Sequence, residues 1–262
     1  MSTAALSLTP RQRRAFGLLV ASEIKIAARR PVGLVVAIGI PFALLVIFGS
    51  VPATTRPSDK LGGISFFDLY VPTLLVFVLI AIGLMTLPQQ LSGYRRQGVL
   101  RRMSTTPVHP SWVLAAQTTV CLIMAAIGLT ILLGAGAGAY GLALPRDAGG
   151  YLVSLVAIVL TAAATLGLGL LVAAVAGSPQ VAQALTAVLF YPLAFFSGLY
   201  VPLQEIHSQV IADIAKALPT GAGFNALHSA FGGHSPGVDP LLVLAAWAVG
   251  SWVIATRLFR WE

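Results

Sequence analysis

The chain has 262 residues, of which 57% are hydrophobic and only 9% charged, whereas a soluble domain carries about 25% charged residues. That balance excludes a water-soluble globule, which needs a polar surface this sequence cannot supply. The formal charge of +8 resides on basic residues at the edges of apolar runs, a distribution that speaks for membrane topology and against nucleic acid as a partner.

Residues 10–30 read as an amphipathic interfacial helix. At helical spacing Arg11, Arg14, Ser22, Lys25 and Arg29 share one face, with Leu18 as the exception, and Phe16, Leu19, Val20, Ile24 and Ala27 lie opposite. Such a helix lies in the headgroup layer with its cations toward anionic lipid. A cleavable signal peptide is not expected, because Glu23 and Lys25 interrupt the early apolar stretch and the first long run begins only after Arg29, Arg30 and Pro31.

A hydrocarbon core about 30 Å thick needs roughly 20 apolar residues of helix. Six runs meet that length, at about 32–51, 69–88, 112–140, 151–176, 182–200 and 240–256, and none contains Asp, Glu, Lys or Arg. Their continuity predicts helices rather than strands. The expected fold is an all-α integral membrane protein: six transmembrane helices in one domain over 1–262, with the interfacial helix before them. Pro41 and Pro192 are candidate kinks. The single cysteine, Cys121, excludes an intrachain disulfide and reads as a small apolar core residue.

Six crossings put both termini on one side. Arg11, Arg13, Arg14, Lys25, Arg29, Arg30, Arg95, Arg96, Arg101, Arg102, Arg257 and Arg260 fall on that side, against Arg56, Lys60, Arg146 and Lys216 on the other. The positive-inside rule makes the termini and the 91–111 loop cytoplasmic. Several aromatic residues sit at span ends, but Trp247 and Trp252 fall inside the sixth run.

The 91–111 loop carries four arginines around Val99, Leu100 and Met103. Leu100 and Met103 are three apart and meet on one helical face, which suits a docking element for another protein. Between the fifth and sixth runs, 203–231 is too apolar for a solvated loop and too broken for a span, so a short outer re-entrant helical segment is expected. Gly134 and Gly138 form a G-x-x-x-G, and Gly167 and Gly169 lie in the fourth run; small residues allow close helix contact, expected within the chain.

Catalytic chemistry is not expected. No P-loop Gly-Lys occurs, the four histidines form no H-E-x-x-H pattern, and no close carboxylate pair serves acid–base work or a metal. Runs without ionisable groups also argue against ion coupling, so energy must come from another chain.

The stretch Arg95-Arg96-Gln97-Gly98-Val99-Leu100-Arg101-Arg102-Met103-Ser104-Thr105-Thr106-Pro107-Val108 resembles the coupling region of type 2 ABC transporter permeases. Phe196-Ser197-Gly198-Leu199-Tyr200-Val201-Pro202, Leu218-Pro219 and Asn225-Ala226-Leu227 add to the likeness. The group it most resembles is the daunorubicin-resistance permeases, multidrug or lipid exporters. The family often has an acidic residue where Gln97 stands, so docking here rests on Leu100, Met103 and the arginines. The resemblance implies a subunit of the bacterial cytoplasmic membrane, working with a second permease chain, identical or related, and two copies of an ATPase subunit. The ATPase would bind ATP and Mg, and this chain no cofactor. An amphiphilic drug, lipid or glycolipid would leave along a groove where Phe190, Tyr191, Phe195, Phe196 and Tyr200 form the path or outer gate. The alternatives are a non-transporting scaffold and a membrane-embedded lipid-modifying enzyme.

Overall fold

The computed structural model describes residues 10–29, 32–58, 63–96, 98, 111–201 and 208–258. Helix α1 spans Pro10–Arg29 and α2 Val32–Ser50. A single helical turn, α3 (Pro52–Thr55), precedes a minimal antiparallel pair, β1 (Pro57–Ser58) and β2 (Ile64–Ser65), with Pro57 opposite Ser65. One long helix follows in three parts: α4 (Phe66–Ile80), a π-helical segment (Ala81–Thr86) and α5 (Leu87–Arg96). Then come α6 (Ser111–Tyr140), α7 (Ala148–Val175), α8 (Pro179–Phe195), α9 (Gln209–Ala217), α10 (Pro219–Phe231) and α11 (Asp239–Leu258).

Among the described residues, four helices are long and apolar enough to cross a membrane: Phe66–Tyr94, Trp112–Tyr140, Ala148–Val175 and Asp239–Leu258. The remaining two expected spans are apolar helices, Val35–Ser50 and Pro179–Phe195, that fall short of that length. Two boundaries differ most from expectation. The second run extends past 88 to Arg96, because Pro88 falls in the first turn of α5, where the preceding segment carries the helix through. The fifth stops at Phe195 instead of 200. Its end is a glycine cap: Gly198, at φ +83°, lets Leu199 N donate to Ala194 O and Gly198 N to Phe195 O. The helix continues through both Pro41 and Pro192.

Starts are equally local. Ser65 accepts from Asp68 N (3.0 Å), Asp147 from Gly150 N (3.3 Å), and Ser178 from Val181 N (3.3 Å) with Pro179 in the first turn of α8. Asp68 does more. Its carboxylate accepts from the Ser65 hydroxyl (2.6 Å) and from Ala143 N (3.0 Å), tying the strand pair to the α6–α7 loop.

The three-part helix is the centre of the bundle: 89% of its most apolar window is buried, against 22% for α11. It crosses α7 backbone to backbone. A Cβ on Gly169 would lie 2.0 Å from Gly83 O, and one on Gly83 2.8 Å from Thr165 O. The same device seats α11 on α7 at Gly167, where a Cβ would meet Ser251 Oγ at 2.0 Å. The G-x-x-x-G of α6 is different. Gly134 and Gly138 have no atom within 4 Å of a built Cβ, so the expected contact within the chain is absent there: no described helix faces that stripe.

Helix α10 lies beside the first half of α7. A Cβ on Gly150 would be 3.3 Å from Ala230 O, and one on Gly223 2.6 Å from Thr161 Oγ1. The α9–α10 pair sits against the late end of α8, where a Cβ on Gly221 would lie 2.9 Å from Phe196 O. The two tryptophans inside α11 find their reason here and on α7: Trp247 Nε1 donates to Ala217 O (2.8 Å) and Trp252 Nε1 to Ala163 O (2.9 Å).

Gly169→Ala should push α7 off the π segment and lower stability by about 1–3 kcal/mol, the usual cost of overpacking. Gly134→Ala, in open space, should be neutral or stabilising through helix propensity. Thermal unfolding of both variants in detergent checks the pair; equal midpoints would contradict the crossing.

Candidate functional site

The end of the bundle that carries α1 and the loop after α5 is held by one buried carboxylate. On α1, Phe16, Val20, Glu23 and Ala27 recur at helical spacing and form the face turned toward α6. Phe16 meets Trp112 edge-on at 6.3 Å. Glu23 sits in the middle of this stripe and is only 7% exposed. It accepts a hydrogen bond from Tyr94 Oη (2.6 Å) and one from Gln117 Nε2, and Gln117 Nε2 also lies 3.2 Å from Tyr94 Oη.

Tyr94 is in the last turn of α5 and Gln117 in the second turn of α6, so the two donors stand on the two stems of the 97–110 segment. The carboxylate thus clasps both stems and α1 at once. A hydrogen bond to a charged group contributes roughly 1.5–3 kcal/mol, and a buried charge stripped of its donors costs more than that. The three elements are therefore held as one unit.

The packed stripe occupies only part of the surface of α1. Arg14, Lys25 and Arg29 are exposed. Ile24, on the apolar face beside the stripe, is 41% exposed, open to the lipid side. The packed stripe centres on Glu23 and Ala27 because α1 lies against α6, which covers a narrower face than lipid does. Sequence reasoning missed Glu23 as a site residue. The available signal was an acid at the centre of an apolar stripe, matched by a lone glutamine near the start of the third run.

Of the expected docking residues, Arg95 belongs to α5 and Arg96 is exposed at its end, where a cation suits the helix dipole. Gly98 takes φ +64°, a left-handed turn that only glycine adopts freely. Gln97, Val99, Leu100, Arg101, Arg102 and Met103 lie outside the described residues, as does the side chain of Arg11.

The aromatic group is divided. Phe190 is buried against Phe77 (5.7 Å, edge-on) and touches Tyr191 (5.8 Å), which is 60% exposed. Phe195 and Phe196 pair at 5.3 Å on the turn beyond, and Tyr200 is exposed. Among the described residues no ring contact joins the two pairs. Behind Phe190, Thr186 Oγ1 donates to Leu84 O (3.0 Å) in the π segment. A π turn leaves a carbonyl out of step with its helix, and such turns recur at functional sites.

A family model described as ABC-2 type transporter matches residues 14–231, and the chain belongs to that family. It is an integral membrane permease subunit of an ABC transporter, a class that works with an ABC ATPase. A comparison with curated proteins finds no match.

Glu23→Gln should change stability by less than about 1 kcal/mol, since a neutral amide of the same shape needs fewer donors. The double change Tyr94→Phe and Gln117→Leu strands the carboxylate and should cost about 3 kcal/mol. Adding Glu23→Leu to that double variant should recover most of the loss. Chemical denaturation of the purified chain measures all three; a triple variant no better than the double would refute the clasp.

Proposed function

We propose that this chain is the permease of an ATP-driven exporter of the daunorubicin-resistance group, moving an amphiphilic drug-like, lipid or glycolipid substrate outward. The observation that carries this reading is the clasp at Glu23. It couples the basic 91–111 loop to α1, so that a push on the loop is shared by every element at that end.

In this reading two ATPase subunits, holding ATP and Mg, dock on the coupling loops of two permease chains in the bacterial cytoplasmic membrane. The residues that meet them are Arg95, Arg96, Gln97, Gly98, Val99, Leu100, Arg101, Arg102 and Met103, with Leu100 and Met103 as the apolar knob. α1 lies in the inner headgroup layer, its Arg11, Arg14, Lys25 and Arg29 toward anionic lipid. Closure of the ATPases rocks the bundles between inward and outward states. The π segment, propped by Thr186, is the flexible joint of the central helix.

Six crossings complete the topology, with both termini cytoplasmic. Helix α2, at 1.5 Å per residue, is roughly 28 Å long, close to the hydrocarbon thickness. Helix α8 is roughly 25 Å long, and the α9–α10 pair, a re-entrant hairpin at the outer face, covers the remainder. Cargo moves past Phe190 and Tyr191 toward Phe195, Phe196 and Tyr200, where the outer gate sits. The charge balance supports this orientation: the clasped end holds most of the arginines.

Leu100→Asp combined with Met103→Asp should abolish copurification with the ATPase while membrane insertion stays intact. Binding that survives the double change would place docking elsewhere. A reporter fused after Glu262 should be active only in its cytoplasmic form; activity on the far side would require an odd number of crossings.

A further inference from the structure

At the end of the bundle opposite the clasp, a cavity of about 260 Å³ opens between the strand pair, the α6–α7 loop and the end of α10. It is near the lower limit for small-molecule pockets, so it suits a headgroup rather than a whole drug. Three ionisable side chains line it, Asp68, Arg146 and His228, beside the hydroxyls of Thr55 and Ser65. Ile64, Leu144 and Phe231 supply apolar wall.

The charges in this cavity are opposite yet do not meet. Asp68 is held by the Ser65 hydroxyl and Ala143 N, one bond to each carboxylate oxygen. It therefore cannot swing toward a partner, and each oxygen keeps one lone pair free. Arg146 is exposed and, among the described residues, forms no ion pair; the one found joins Lys216 to Asp213 at the surface. His228 stacks on Phe224 at 5.5 Å. Burial, and then the charge of neighbouring His234, hold its pKa below the usual imidazole value. It faces the cavity as a neutral donor and acceptor.

A fixed carboxylate and a free guanidinium across one small space match a ligand that carries both charges a few bonds apart. A purely anionic ligand would be opposed by Asp68, and a purely cationic one by Arg146. The apolar wall fits the first carbons of an acyl chain. We propose that this cavity binds the zwitterionic headgroup of an amphiphile, its ammonium beside Asp68 and its phosphate beside Arg146 and His228. Two sources share that chemistry, a bilayer phospholipid and a transported amphiphile. The proposal uses the exporter reading only to say that this end faces outward; binding itself needs no ATPase.

The test is titration of the purified full-length chain in detergent with dihexanoyl phosphatidylethanolamine, against dihexanoyl phosphatidylglycerol as the anionic control. The zwitterion should bind and the anionic lipid should bind markedly more weakly. Arg146→Gln, a change at an exposed side chain, should weaken the zwitterion roughly tenfold, the loss of one charged hydrogen bond, while Lys216→Gln changes nothing. Equal binding of the two lipids, or an unaffected Arg146→Gln variant, overturns the proposal. With the ATPase present, export of labelled probe during ATP turnover identifies cargo, and retention identifies a resident lipid; each is a form of the same site. If the permease fails to engage any ATPase yet binds the zwitterion, the exporter reading falls and the site stands.

Discussion

A carbonyl oxygen set free within a membrane has no water to turn to, and this fold answers that constraint at three of its helix breaks. The π segment is met by Thr186, which donates to Leu84 O. The turn after α8 is met twice, by Thr73 on Ser197 O (3.3 Å) and Tyr70 on Leu199 O (2.6 Å). The junction of α9 and α10 is met by Trp247 on Ala217 O. Each donor comes from a different helix than its acceptor, so satisfying the backbone also fixes which helices are neighbours.

The clasp at the basic end follows the same logic with a charge in place of a carbonyl. Glu23 would be costly at its burial if it faced only apolar atoms. Placing Tyr94 and Gln117 around it turns that cost into a link between three segments that are remote in sequence. The central helix carries the link inward: Tyr94 closes α5, α5 continues into the π segment, and the π segment is crossed by α7 and propped by α8. A displacement at the loop and a displacement at the centre of the bundle are thus joined through one continuous helix.

Much of this was legible in the chain of letters, and the reasons differ by element. The long helices follow from length and absence of charge. Apolarity alone sets the fifth run at 182–200, whereas the local caps at Ser178-Pro179 and Gly198 set α8 at Pro179–Phe195. The clasp was not legible, since its partners are 71 and 94 positions from Glu23 and nothing local pairs them. The open stripe at Gly134 and Gly138 also misled, because glycine spacing alone does not say whether a partner helix is present. Trp247 and Trp252 looked misplaced only while aromatic rings were judged by membrane depth; their indole N–H groups have carbonyls to serve.

The apolar stretches 69–88, 112–140, 151–175 and 240–256 contain no Asp, Glu, Lys or Arg. A transmembrane voltage does work only on charge that moves through it, about 2.3 kcal/mol per unit charge for each 100 mV. Side chains in these stretches offer it nothing to pull on. A shift of these four stretches by themselves carries no side-chain charge across the membrane.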